Sequence, residues 1–331
     1  MSIASETKHS GFHRPLDRDA RVFVAGGHGM VGSAVWRHLT HEAFTDVVGP
    51  RSMELDLRDR RAVLDWFAAA RPDVVVLAAA RVGGIKANAT QPADFLSDNL
   101  RIQVNVLDAA LRQGVQRLLF LGSSCIYPKF AEQPISEKAL LTGPLEPTNE
   151  AYAIAKIAGI LQVQAVRRQH GLPWICAMPT NLYGPGDNFH PQHSHVLPSL
   201  IRRYHHARST GAPRVVNWGA GTARREFLHV DDLARACVCL LERYDADEPV
   251  NVGTGEDVTI KEVAELVAKV IGYDGSVDWD TNEPDGTPRK LLDVSRLGAL
   301  GWSPRIHLEE GLARTYDWYR EHLVAGTLRH G

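Results

Sequence analysis

Cysteine is scarce: Cys125, Cys176, Cys237 and Cys239 are the only four in 331 residues. They are too few and too scattered for a disulfide framework. Cys237 and Cys239 lie two apart on an expected helix and so point to different faces. Reduced thiols and a cytoplasmic setting are expected. Long apolar runs are missing as well. None reaches the roughly 20 residues that a membrane span needs, so no membrane partner is expected. Charge of one sign is lacking, because 37 Lys and Arg against 39 Asp and Glu give a formal net charge of −2. That removes the electrostatic case for a nucleic-acid partner. Internal repeats and low-complexity tracts are absent, which excludes solenoids and linker-like chains. Residues 1–20 are polar, carry no apolar signal core and read as a loose tail.

What is present is an ordinary globular composition, 44% hydrophobic. A chain of this length buries a large core and suits two lobes. Its organising stretch is Val22-Phe23-Val24-Ala25-Gly26-Gly27-His28-Gly29-Met30-Val31-Gly32. An apolar run meets glycines at 26, 29 and 32, then Ser33 to Leu39 with apolar residues at helical spacing. This predicts strand, tight turn and helix. Glycine lets backbone N–H groups approach a pyrophosphate, and the helix N-terminus adds free donors and a positive dipole end. The turn, Gly26 through Gly32, is therefore a dinucleotide-site candidate. The second strand, near 45–49, runs into Pro50-Arg51-Ser52 where NAD-preferring folds usually place an acid. Arg51 and Ser52 suit a 2′-phosphate and point to NADP(H); the competing account of Arg51 is a solvated charge in a turn.

The pattern continues with a helix over 59–70, a buried strand at 73–78, a loop at Gly83-Gly84, and a long helix over 92–113. The apolar side of that helix is expected to be Phe95, Leu96, Leu100, Val104, Leu107 and Leu111. A fourth strand follows at 117–121. Strands alternating with helices predict an α/β fold, a Rossmann-type doubly wound parallel sheet with ligands at the carboxyl ends of its strands, and a smaller C-terminal α/β substrate lobe. The cofactor lobe is expected over 21–180, with segments around 215–252 returning to it, and the substrate lobe mainly over 181–331. Helices are also expected from 196 to 207 and over 231–243, 259–271 and 308–322.

The fourth strand ends in Gly122-Ser123-Ser124-Cys125, and about 30 residues on Tyr152 and Lys156 stand one helical turn apart. Serine at a strand end followed by such a pair suits proton delivery to a carbonyl. The Lys156 ammonium is expected to stabilise the phenolate and lower the Tyr152 pKa towards neutral pH, with Ser123 holding the carbonyl oxygen. Cys125 alone reads equally as a small buried hydrophobe. His195 reads equally as a solvated loop histidine. The histidines at 190, 193 and 195 do not fit zinc spacing, so no metal is expected.

The glycine turn with Tyr152 and Lys156 resembles the extended short-chain dehydrogenase/reductase family of nucleotide-sugar enzymes. Six blocks, at 79–85, 122–128, 146–150, 178–185, 187–191 and 225–232, resemble its GDP-L-fucose synthase branch. The likeness runs from about 21 to about 322. It implies a GDP-sugar substrate and C3/C5 epimerisation followed by NADPH-dependent reduction at C4. It also implies a homodimer packed through the helices near 92–113 and 150–169. It makes Cys125 and His195 the proton-handling pair for the epimerisations, with a cationic imidazole lowering the thiol pKa. It adds Asp56, Leu57, Ala79, Leu121, Gly122, Pro179, Asn181, Leu182 and His195 to the cofactor wall. Ser124, Cys125, Asn181, Val196, Arg203, Trp218, Arg225, Asp285 and Lys290 are placed on the substrate. One departure is His28, where the family often carries Arg. Two alternatives stay open: a single-function nucleotide-sugar 4-epimerase or 4-reductase, and a non-catalytic NADP-sensing binding protein.

Overall fold

The computed structural model describes residues 14–191, 194–282 and 286–328. In chain order the elements of the first half are β1 (Arg21–Ala25), α1 (Met30–His41), β2 (Asp46–Val48), α2 (Arg60–Ala70), β3 (Val74–Leu77), α3 (Ile85–Thr90), α4 (Pro92–Arg112), β4 (Arg117–Leu121), α5 (Glu150–His170) and β5 (Ile175–Pro179). Then come β6 (Asn181–Tyr183), α6 (Val196–Thr210), β7 (Arg214–Trp218), β8 (Arg224–Arg225), β9 (Phe227–His229), α7 (Val230–Arg243) and β10 (Val250–Val252). The last are β11 (Val258–Thr259), α8 (Ile260–Ile271), β12 (Ser276–Asp280), β13 (Arg289–Lys290), α9 (Ser295–Ala299) and α10 (Leu308–Val324).

Six parallel strands form the main sheet in the order β10-β5-β4-β3-β1-β2. Its reversal between β1 and β3 puts the carboxyl ends of β1 and β4 at one edge of the cleft. The two-residue side-chain period then divides the core. Val22, Val24, Val74 and Val76 face α1 and α7. Phe23, Ala25, Val75 and Leu77 face the residues of α2, α4 and α5, among them Phe67, Val106 and Ile160. Each such side chain contributes about 1.5–3 kcal/mol on burial. Strands covered on both faces read as continuous apolar runs, which is why β3 is Val-Val-Val-Leu. A third core joins Tyr183, Leu197, Tyr204, Val263 and Tyr316 around α6, α8 and α10.

Two expectations are corrected. The segment 214–218 does not return to the main sheet. It pairs in parallel with β12, because its alternation of exposed and buried residues suits a small two-stranded edge and not a doubly covered strand. Only β10 rejoins the main sheet, beside β5. On α4, Phe95 and Leu107 are buried, but Val104 is 36% exposed and Asn99, Gln103 and Asn105 lie inside. These polar residues are buried because each has an acceptor. Asn99 Nδ2 donates to Phe95 O at 2.7 Å, Gln103 Nε2 to Ala155 O at 2.7 Å, and Asn105 Nδ2 to Leu57 O at 3.0 Å. Among the described residues no helix is long and apolar enough to cross a membrane.

Candidate active site

The glycine turn is as tight as its sequence requires. Gly26 has φ +83°, and a Cβ there would stand 2.9 Å from the Ala79 backbone. A Cβ on Gly32 would stand 2.0 Å from Gly26 O. Gly29 caps α1 with no side-chain hydrogen bond, and the first turn of α1 holds no acid. Met30, Val31 and Gly32 thus begin a helix whose dipole end faces the cleft uncapped, which fits a pyrophosphate. Gly27 is buried against Trp36. His28 is exposed, and its Nε2 lies 2.9 Å from Gly49 O, so that nitrogen donates to the carbonyl. Arg51 and Ser52 are exposed at the end of β2, where a ribose 2′-phosphate would stand. Asp56 is claimed by Arg58, with Nη2 to Oδ2 at 2.9 Å, and that hydrogen bond holds its carboxyl below the usual range. Leu57 is half-buried beside it, and Ala79 flanks Gly26.

Leu121 ends β4 with Gly122 just after it, and Pro179 ends β5 beside them. A Cβ on Gly122 would stand 2.4 Å from Met178 Sδ, so a side chain at this strand end would have to displace the end of Met178. Ser123 turns the chain into a short 3-10 segment carrying Ser124 and Cys125, and its Oγ accepts from Cys125 N at 3.3 Å. From α5, Tyr152 reaches the same point, where Ser123 hydrogen-bonds its phenol. Phe95 of α4 supports the phenol ring edge-on, with centroids 6.5 Å apart. The expected pairing of Lys156 with the phenol takes a different form. Lys156 Nζ donates to Leu121 O at 2.8 Å and lies 5.8 Å from the Tyr152 ring centroid. Burial, then the neighbouring Cys125, push the phenol up, so Tyr152 stands as a neutral proton donor. Burial lowers Lys156 to about 8.

That shift has a sign that can be checked. Below about 8 the Lys156 ammonium is charged and favours the phenolate left when Tyr152 gives up its proton; above it that help is lost. Single-turnover carbonyl reduction is expected to slow as pH rises through about 8. A profile flat across that range would remove Lys156 from the relay. The folded form also releases this proton earlier than the unfolded chain, which holds it to about 10.5. The stability cost of burying the ammonium is therefore full at pH 7 and relieved between those two values.

Across the cleft, His195 caps α6 and Val196 begins it, both exposed to the cleft. Surrounding protein and then the Lys290 charge push the His195 imidazole towards its neutral form. The ring is open to water, which weakens the burial contribution, but both causes act in one direction. The expectation of a cationic His195 lowering the Cys125 thiol is corrected accordingly. Arg203 on α6 donates to Val216 O and Asn217 Oδ1, both at 2.9 Å, and its guanidinium lies 5.9 Å from the Trp218 ring centroid. Trp218 is 55% exposed, a flat apolar surface with a cation beside it. Arg225 and Lys290 are neighbours through the parallel pairing of β8 with β13. Asn181 Nδ2 donates to Glu226 O at 2.8 Å, and Leu182 is half-buried next to it. Asp285 lies outside the described residues. Ser124, Cys125, Glu146, Asn149 and Lys290 line one cleft of about 310 Å³.

A profile of the NAD dependent epimerase/dehydratase family matches residues 22–253. The chain belongs to that family. A probable GDP-L-fucose synthase 1 of Oryza sativa subsp. japonica is 60% identical over 325 residues, covering 98% of both chains. The GDP-L-fucose synthase of Escherichia coli (strain K12) is 55% identical over 310 residues, 91% of this chain and 97% of its own. Among solved structures, a GDP-L-fucose synthetase from Naegleria fowleri bound to NADP superposes with TM-score 0.88 at 27% identity, covering 97% and 99%.

In this member of the family one structural residue of the site escaped the sequence reading. Glu226 is fully buried between Arg225 and Phe227. Its Oε1 accepts from Thr254 N at 2.6 Å and Gly255 N at 2.8 Å, and its Oε2 from Leu292 N at 3.1 Å. Burial pushes this carboxyl up, and the backbone donors oppose that. It ties the turn after β10 and the chain after β13 to the strand that carries Arg225. The one available signal was an acid between Arg225 and the apolar pair Phe227-Leu228, which is silent about its partners.

Proposed function

We propose that the chain converts GDP-4-keto-6-deoxy-D-mannose to GDP-L-fucose, by epimerisation at C3 and C5 and then NADPH-dependent reduction at C4. The observation that carries this is Cys125, beside the Ser123 and Tyr152 hydroxyls, in a chain 55–60% identical to GDP-L-fucose synthases over nearly its whole length. Protons alpha to the C4 ketone are acidic because the enolate is stabilised. Cys125 takes one, the C–H electron pair moving onto the C4 oxygen, and His195 on the other wall, after taking up a proton from solvent, returns one to the opposite face. Ser123 and Tyr152 hold the C4 oxygen, and Tyr152 gives it a proton in the reduction. Bound NADPH supplies the hydride. The uncapped start of α1 with Arg51 and Ser52 suits its phosphates. Arg203 and Arg225 offset the diphosphate charge of the sugar nucleotide, and Trp218 offers a flat stacking surface.

The test is turnover of GDP-4-keto-6-deoxy-D-mannose with NADPH, with product identified by NMR. One NADPH consumed per GDP-L-fucose formed is expected. A 4-epimerase has no net redox demand, so product without NADPH loss rejects this function.

The cofactor lobe is residues 21–180 with α7 and β10 returning to it, and the substrate lobe is mainly the rest of the chain from 181 onward. The assembly is a homodimer through α4 and α5. Val104 on α4 and Ile154 and Leu161 on α5 support it, as large apolar side chains left 36%, 43% and 44% exposed on these two helices. Val104→Glu with Leu161→Glu is expected to give monomers by sedimentation. Dimers that persist in this variant place the interface elsewhere.

A further inference from the structure

Two lysines lie within electrostatic reach of Cys125, and their surroundings divide them. Lys156 is committed to the relay: its Nζ donates to Leu121 O at 2.8 Å and lies 5.0 and 5.8 Å from the Phe120 and Tyr152 ring centroids. The Lys290 ammonium has no hydrogen bond or ion pair among the described residues, and the residue shares the 310 Å³ cleft with Cys125. It is delivered there firmly. β13 pairs with β8, and the next two residues anchor the chain, Leu291 N donating to Gln133 Oε1 at 2.8 Å and Leu292 N to the buried Glu226 at 3.1 Å.

We propose that Lys290 is a positioning residue for the epimerisations, its charge poising the Cys125 thiol to act as the base. This rests on the function proposed above and names what activates its first step. The thiolate takes the C3 or C5 proton, and the C–H electron pair passes to the C4 oxygen. Before each such step the thiol must shed a proton, and a nearby cation lowers that cost. The groups facing Cys125 are Lys290, the Ser123 hydroxyl, Lys156 and the Tyr152 phenol. Burial raises the thiol, and Lys290 is the largest influence opposing it. The groups facing Lys290 are Cys125, Arg225, Glu146 and Glu226. Glu146 is itself held by Lys129 at 2.8 Å, and Glu226 by backbone donors. His195 faces Lys290 too, and burial and then the Lys290 charge push its imidazole towards neutrality, so it is not the cation nearest the thiol.

The experiment is iodoacetamide alkylation of Cys125 against pH in the full chain without ligands, followed by mass spectrometry of its peptide. Lys290→Met is expected to raise the alkylation midpoint by about one pH unit and to slow labelling at pH 7 roughly tenfold. Lys290→Arg keeps the charge and is expected to hold the midpoint close to the parent value. His195→Gln is expected to leave it unchanged. A midpoint that stays put in Lys290→Met overturns the proposal. So does one that moves as far in Lys290→Arg, or one that follows His195→Gln instead. Failure of the functional reading shows separately, as no fucose product from a protein whose Cys125 midpoint still follows Lys290.

Discussion

Tyr152→Phe is expected to cut C4 reduction by on the order of a thousandfold while the protein still exchanges solvent deuterium into C3 and C5. The phenol is the neutral acid of the site, held between the Ser123 hydroxyl and the edge of Phe95. Removing its oxygen removes the proton that the C4 oxygen must receive. It leaves in place Cys125 and His195, assigned above to the carbon-bound protons, and Lys290 beside the thiol. Phe keeps the ring that packs against Phe95, so the fold and NADPH binding, read by fluorescence titration, are expected to stay near the parent values. The prediction separates two halves of one site. If reduction proceeds in Tyr152→Phe at more than a tenth of the parent rate, another group delivers the proton. If deuterium uptake stops along with reduction, Tyr152 also serves the epimerisations and the division of labour is wrong.

Gly32→Ala is expected to destabilise the protein by about 3 kcal/mol and to weaken NADPH binding roughly a hundredfold. The added Cβ would stand 2.0 Å from Gly26 O, 2.6 Å from Gly26 C and 2.8 Å from Gly27 Cα. All three are backbone atoms, so no side chain can swing aside. The helix must lift off the turn, and the N–H groups at the start of α1 move with it. Losing two hydrogen bonds to a charged phosphate, at about 1.5 kcal/mol each, accounts for the binding loss. Gly298→Ala is the control: it sits in α9 with nothing within 4 Å of its added Cβ, and unchanged or slightly higher stability is expected. Thermal unfolding and NADPH titration of both variants decide the matter. A Gly32→Ala protein that binds NADPH like its parent would remove the turn from the cofactor site.

Local signals carried the elements and failed on their partners. The glycine turn, the apolar strands and the spacing of Tyr152 and Lys156 are patterns of a few residues, and a few residues set backbone geometry and helix face. The same rules misplaced 214–218, because strand propensity is silent about which sheet an edge strand joins. They also put Val104 inside α4, because an apolar stripe does not distinguish a core from a face left exposed. Asn99, Gln103 and Glu226 went unread because a polar residue is buried only when distant backbone groups satisfy it.

The sequence by itself determined a parallel sheet with a phosphate-ready turn and named the acid, the thiol and the imidazole. Tertiary structure alone decided how the protons are arranged among them. It turned Lys156 to a carbonyl, pushed His195 towards neutrality, and brought Lys290 to Cys125 across 165 positions of chain. The physical reason is that a protonation state depends on burial and on charges nearby in space, and neither is a property of sequence neighbours.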